Sequence, residues 1–407
     1  MIPVPDGAAL AAPAVASAAM LSDRPEAPRA VDPLQPLRPA APPRSPHAFG
    51  SIVEIGGNGL LSRVDPQTAT LVWAGREDLS RPLPPNVREF GPRTFWQLWR
   101  ACWRYEIDTL VVIPPGGDAP WHWRSLRSVF RRPFGPWRRL VRLFGVQAVR
   151  LLPRRVSTIV VDSGDQRTIA RRHRFLVDRC TWYFKRELPI DRWQALEGTL
   201  MPARPDPDIR GRPHHRRRLE KLRPLAVGLL TDGPTLPPME FPDKTVGLFV
   251  AIGSESSTVR QAGLAELRAL AERRTDIVIA EERLLHDADL RGMASAWLTW
   301  SPEGLGWDCA RHYEAASVYS VPVINQPTIV RFQPLVDGVH ALHYDADVPG
   351  SLTRVVEAAL ADPERLRRIA GAARTHVAAH HLTPWQRAEQ LLSYRSGLAE
   401  PPGGIAR

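Results

Sequence analysis

Cysteine is scarce. The three present, Cys102, Cys180 and Cys309, are odd in number and widely spaced, so they form neither a disulfide framework nor a Cys-x-x-Cys metal site. A reducing compartment follows as the expectation. Long apolar runs are also missing: no window reaches the ~18 uncharged apolar residues that a membrane-crossing helix needs. The apolar stretch from Ala8 to Leu21 lacks a basic flank, follows Asp6 and is broken by Pro13, which is not the build of a cleaved leader. The expectation is a cytoplasmic chain, peripheral at most, at the inner face of a membrane. No finger, aromatic RNA-binding motif or recognition helix accompanies the positive charge, so nucleic acid is not an expected partner.

What the chain does have is length and charge. With 407 residues and 43% hydrophobic content, it is large enough for two domains with real cores. Residues 1–48 are rich in Ala and Pro without apolar periodicity and should not offset the entropy of ordering. The net charge of +11 concentrates in two stretches. Arg124 to Arg155 interleaves Arg with Trp, Phe and Leu around Pro133 and Pro136, suiting basic amphipathic helices that meet an anionic membrane or acceptor; a solvated arginine-rich surface is the plainer reading. Arg210 to Arg223, with His214-His-Arg-Arg-Arg218, reads as an exposed linker. The expected division is 49–205, a basic linker 206–223, 224–382, a C-terminal helix 383–397 and a flexible tail 398–407.

In the first half, Ser51–Ile55 and Thr68–Trp73 read as strands, with Gly56-Gly-Asn-Gly59 between them as a hairpin or plain turn, or as a loop for close ligand approach. Thr94–Tyr105 has helical spacing, Asp108–Pro114 and Arg154–Asp162 read as strands, Thr168–Cys180 as a helix, and Thr181–Phe184 as a strand. Alternation of this kind implies a parallel, doubly wound sheet whose ligands sit at the carboxyl ends of strands. Asp162 and Asp165 lie at such an end, either as candidate catalytic acids or as caps of the helix near Thr168. Lys185 and Arg186 lie at another, either as phosphate contacts or as a solvated pair.

The second half repeats the pattern. Leu225–Leu230, Thr245–Ile252, Ile277–Ala280, Ala296–Trp300 and Val321–Asn325 read as strands; helices are expected at 261–273, 287–294, 307–318, 350–361, 363–380 and 384–395. The small-residue loop Gly253–Arg260 leaves amides and hydroxyls for a phosphate, with Ser257 and Arg260 as contacts or Ser257 as a helix cap. After Trp300 comes Ser301-Pro-Glu-Gly-Leu-Gly306 and then a helix. On it Asp308, Arg311 and Glu314 fall within an arc of roughly 120°, opposite Cys309, Tyr313 and Ala316. Its first turn offers free amides and the positive end of the helix dipole to an anion; the alternative is a surface helix with an i,i+3 ion pair.

The pattern Ser-Pro-x-Gly-x-Gly-x-Asp-x-x-Arg-x-x-Glu-Ala, followed by Val-Pro-Val-Ile-Asn and by Pro334-Leu-Val-Asp-Gly-Val-His-Ala-Leu-His-Tyr344, resembles the donor half of GT-B glycosyltransferases of group 1 type. The likeness is to bacterial spore-maturation-type enzymes and, more loosely, to exostosin-like ones. Tyr183-Phe-Lys-Arg-Glu-Leu-Pro189 and the helical tail from Asp362 are similar as well. The resemblance implies an α/β fold of two Rossmann-like doubly wound parallel-sheet domains facing across a cleft, a nucleotide-sugar co-substrate, no metal or other cofactor, and a last helix that crosses back. Glu314 would take the ribose hydroxyls; Arg311, Arg260 and the amides around Gly304 and Gly306 would neutralise the diphosphate. The acceptor would be a glycan, a lipid-linked group or a protein.

The chain departs from the family where many members carry Glu-x7-Glu, since position 311 is Arg, so retaining chemistry is not implied. Nor does an Asp-x-Asp pair follow a strand to hold a metal: those triplets begin at Asp206, Asp287 and Asp345, in loop or helical contexts. Two other classes fit the same fold, an epimerase-like nucleotide-sugar enzyme and a non-catalytic, basic membrane- or nucleic-acid-binding protein.

Overall fold

A computed structural model describes residues 49–56, 59–73, 84–114, 146–197, 210, 212–231, 233–251, 257–280, 282–383 and 385–395. The expectations for 1–48, for most of the basic stretch from Arg124 and for the tail 398–407 lie outside the described residues.

The first half runs β1 (Ile52–Gly56), α1 (Leu61–Val64), β2 (Ala69–Trp73), β3 (Val87–Glu89), α2 (Pro92–Trp103), β4 (Thr109–Val112), β5 (Ser157–Asp162), α3 (Arg174–Arg179), β6 (Trp182–Lys185), α4 (Pro213–Leu219) and β7 (Leu222–Pro224). Its strands form one parallel sheet in the order β3-β2-β1-β4-β5-β6-β7, the doubly wound order with its switch between β1 and β4. Both faces are covered, so the strands read as near-continuous apolar runs. In β5, Val160 packs under α2 and α3 with Leu98 and Leu176. Its neighbours Ile159 and Val161 turn to the other face, onto Leu61 of α1.

The second half runs β8 (Leu229–Leu230), β9 (Val246–Ala251), α5 (Thr258–Ala271), β10 (Ile277–Ala280), α6 (His286–Ser295), β11 (Ala296–Trp300), α7 (Ala310–Ser317), β12 (Val321–Asn325), β13 (Leu342–Tyr344), α8 (Ser351–Leu360), α9 (Pro363–His380), β14 (Leu382–Thr383) and α10 (Trp385–Arg395). Five strands form a second parallel sheet, β10-β9-β11-β12-β13, while β8 and β14 pair separately. Trp300 is fully buried against Leu298, Leu267 and Tyr344. A side chain on Gly263 of α5 would come within 2.3 Å of its ring, so glycine here is what lets the helix lie so close to the sheet. The protein is thus an α/β chain with two Rossmann-like parallel sheets. Helix α10 returns to the first of them, placing Ala388 and Leu391 against Ile52, Leu61 and Leu225.

Several sequence expectations are corrected. Strands β1 and β2 are parallel, so the glycine stretch after β1 leads into α1 and makes no hairpin. The presumed linker becomes helix α4 and edge strand β7 from residue 213 onward. Leu225–Leu230 is not one strand of the second sheet: only Leu229–Leu230 is extended, and it pairs with β14. Thr168–Cys180 holds a 3-10 turn, Arg171–His173, before α3.

Candidate functional site

The two halves meet where the carboxyl ends of β6 and β11 approach each other. Asp162, the last residue of β5, is half-buried and accepts from the Tyr183 hydroxyl at 2.9 Å, Lys185 Nζ at 3.1 Å and the Gly164 amide at 3.1 Å. Lys185 is fully buried, and at this depth a cation must be paired. Asp165 pairs with Arg186, whose Nε lies 3.6 Å from a Glu187 oxygen. Neither aspartate caps a helix. Each holds one of the two cations that were expected to reach phosphate.

Glu187 crosses to the other half. Its carboxylate, fully buried, accepts from the amides of Trp307 at 2.8 Å and Asp308 at 2.9 Å. These are amides just ahead of α7, the kind of donor expected to serve an external anion. Burial raises the Glu187 carboxyl above its ordinary range, while the two amides and Arg186 hold it down. Gly306 is part of the same contact, since a Cβ there would lie 2.6 Å from that carboxyl.

The remaining residues of the glycine loop are held from within. Gly304 donates its amide to the Gly306 carbonyl at 2.9 Å. Glu303 exchanges hydrogen bonds with Asn325, at 2.9 Å to its amide and 3.2 Å to its carboxylate. Its carbonyl accepts from Arg260 Nε at 2.9 Å and, more weakly, from Ser257 Oγ at 3.5 Å. Ser257 caps α5 by accepting the Arg260 amide at 3.2 Å. A Cβ on Gly304 would meet the Arg260 guanidinium at 2.7 Å. Ser257, Arg260, Glu303 and Gly304 therefore form one group at the ends of β9 and β11. These neighbouring strands flank the point where the strand order of the second sheet reverses, the place where doubly wound sheets bind ligands.

Helix α7 starts at Ala310, three residues later than expected, and its polar residues separate. Asp308 precedes it and points inward, accepting from the Val227 amide and from the Tyr313 hydroxyl at 2.7 Å. Burial raises its carboxyl above the ordinary range. Arg311 pairs with Asp289 of α6 at 3.0 Å. Glu314 lies 3.9 Å from the His286 ring, its carboxyl likewise raised by burial. So Arg311 and Glu314 share a face with α6 while Asp308 does not.

Sequence reasoning assigned no role to Glu187, Tyr183, His312 or Glu54. His312 is fully buried between the Ser301 hydroxyl, 2.7 Å from Nδ1, and the Trp307 carbonyl, 3.0 Å from Nε2. That arrangement puts the ring proton on Nε2. Burial pushes its pKa down to about 3. Glu54 is an acid inside an apolar strand. Its carboxylate accepts the amides of Leu60, Leu61 and Ser62 and the Ser62 hydroxyl, tying the end of β1 to the start of α1. An isolated acid in an apolar run is the signal that would have found Glu54; Glu187 follows Lys185-Arg186 and reads locally as part of a charged strand end. Among the described residues, no three His, Cys, Asp or Glu side chains are grouped so as to hold a metal ion.

No protein-family model and no curated protein matches the chain. Solved structures similar to it include a glycosyltransferase from Rickettsia africae, at 10% identity over 87% of this chain and 100% of that one, with a TM-score of 0.47. A sucrose-phosphate synthase from Thermosynechococcus elongatus is similar at 10% identity over 86% and 99%, TM-score 0.48. Anabaena HepE in complex with UDP is similar at 12% over 84% and 99%, TM-score 0.45. At such TM-scores the likeness decides nothing about function, which must come from the chain's own geometry.

Proposed function

We propose that the chain is a GT-B glycosyltransferase that moves a sugar from a nucleotide-sugar to a glycan, lipid-linked or protein acceptor. The observation that supports this best is the position of Ser257, Arg260, Glu303 and Gly304. A capped helix start, a glycine loop and an arginine converge at the switch point of the second sheet, facing the carboxyl end of the first. In this reading the nucleotide lies against α7, with Glu314 accepting from the ribose hydroxyls. Arg260 and Arg311 offset the diphosphate. Lys185 and Arg186, already held by Asp162 and Asp165, fix those acids on the opposite half and do not themselves reach the diphosphate. Neutralising the leaving group matters most as the anomeric carbon gains positive character, so Arg260 and Arg311 favour the transition state over the bound donor. The protein's own cations do this work in place of a bound metal. Of the two strand-end acids, Asp165 is the more accessible, with a side chain 49% exposed, and it is the better placed to take the acceptor hydroxyl's proton.

A thermal-shift screen against nucleoside diphosphates and their sugars tests the proposal. At least one should raise the melting temperature of the wild type in a concentration-dependent way, and Arg260→Ala should abolish most of that rise. If no nucleotide shifts the wild type, or if Arg260→Ala shifts as much as the wild type does, the donor site is wrong. A release of free nucleotide that needs no acceptor would favour the epimerase-like reading instead.

A further inference from the structure

Helix α2 buries only part of its aromatic content: Phe95 and Trp99 pack partly against the core, while Trp96 and Trp103 stay exposed. Its core-facing residues are the small or aliphatic Leu98, Ala101 and Cys102. At 100° per residue, Trp96, Trp99 and Trp103 fall within an arc of roughly 60°, with Trp96 and Trp103 turned to solvent and Trp99 half-buried at the edge of the core face. Trp96 is 59% and Trp103 48% exposed. Alongside them, within a further arc of roughly 40°, lie the exposed Arg93, Arg100 and Arg104. The outward face of α2 thus carries two exposed indoles, backed by Trp99, beside a stripe of guanidinium groups. Water-facing helices of soluble proteins do not ordinarily present two half-exposed tryptophans two turns apart on one face.

The stripe continues past the end of the helix. Tyr105 is 63% exposed and adopts a left-handed conformation, φ 58°, at a position where glycine is the favoured residue. Arg155 lies 4.1 Å from the Trp103 ring centroid and 5.6 Å from that of Tyr105. The left-handed turn itself closes α2, with the Glu106 amide donating to the Ala101 carbonyl at 3.0 Å; glycine would serve it better, and core packing does not account for the exposed tyrosine ring there.

We infer that this face of α2 docks on the surface of an anionic lipid bilayer. Indole and phenol rings settle at the level of the headgroups, where one end of the ring is apolar and the other wet. Arginines beside them meet lipid phosphates, and each adds to the attraction of a negatively charged leaflet. Glu106, 3.8 Å from Arg104, is an opposing charge on the patch. It is a weak one, since exposed pairs of this kind contribute little. A sugar polymer fits less well: Trp103 is stacked on Trp99, with centroids 5.4 Å apart and planes 7° from parallel, and carries Arg155 as well, so the ring faces that a sugar would cover are engaged. No described helix is long and apolar enough to cross a membrane, and docking at a surface requires none.

Vesicle flotation with the full chain tests this. Wild type should float with vesicles containing phosphatidylglycerol and much less with pure phosphatidylcholine, and salt should weaken the binding. The pair Trp96→Ala with Trp103→Ala, and separately Arg93→Glu with Arg100→Glu, should each lower the partition coefficient about tenfold or more. Tyr105→Gly separates docking from folding. It relieves the left-handed strain and should raise the melting temperature while lowering vesicle binding, whereas a purely structural tyrosine would lower both or neither. Three results would overturn the inference: no flotation of wild type, flotation unchanged in the three variants, or a tryptophan dependence seen with RNA or a polysaccharide and not with vesicles.

Discussion

A single carboxylate, that of Glu187, decides how the glycine loop is used. It takes the Trp307 and Asp308 amides, so the anion expected at this helix start is supplied by the chain itself. Loss of such a group leaves two buried donors unsatisfied, and Glu187→Ala should cost about 2–4 kcal/mol in equilibrium denaturation. His312 sets a different response. Its folded pKa, pushed to about 3, lies below the unfolded value of 6.5. The stability that comes from keeping it neutral is therefore full above pH 6.5 and is lost as pH falls toward 3. Between pH 6.5 and 5 the wild type should lose about 1 kcal/mol more stability per pH unit than His312→Asn. Chemical denaturation at both pH values measures this, and equal slopes would show that the ring is not held neutral.

At the level of elements, what was legible in the sequence is what apolar periodicity encodes. The buried strands β5, β9, β11 and β12, and the helices α5, α8 and α9, lie within a few residues of their expected places because each carries a continuous apolar run or stripe. The rest fails for identifiable reasons. Strand β7 is only Leu222-Arg-Pro224 and inherits its extended shape from pairing with β6, which no local pattern announces. Helix α2 was legible as a helix, but its period alone does not say which side meets the sheet. In the candidate site, the grouping of Ser257 and Arg260 with the Glu303–Gly304 turn followed from loops after parallel strands. The inward turn of Asp308 depends on Val227 and Tyr313 and could not be read locally. The contact between the Glu187 segment and the loop before α7 can be tested as a unit. Gly306→Ala should destabilise by about 1–3 kcal/mol through collision with the carboxyl. Combined with Glu187→Ala, its cost should shrink by at least about 1 kcal/mol in a double-mutant cycle. Strict additivity would mean that the two residues do not touch.

At the scale of the molecule, two parallel sheets are joined by more than one strap. Val330 donates its amide to the Leu188 carbonyl, and Ile190 donates to Thr328, next to the Glu187 contact. Helix α10 returns to the first sheet, and its half-buried Arg387 donates to the carbonyls of Ala226 and Val227. These contacts bring the carboxyl ends of both sheets to one place, with the Asp162–Lys185 and Asp165–Arg186 pairs on one side and Arg260 with the Glu303–Gly304 turn on the other. The central claim is that this meeting place binds a nucleoside diphosphate through Arg260. Calorimetric titration of the best nucleotide from the thermal-shift screen tests it most directly. The account predicts a saturable one-to-one isotherm for the wild type and a Kd about 10- to 100-fold weaker for Arg260→Ala at unchanged fold; the same Kd in both proteins would contradict it.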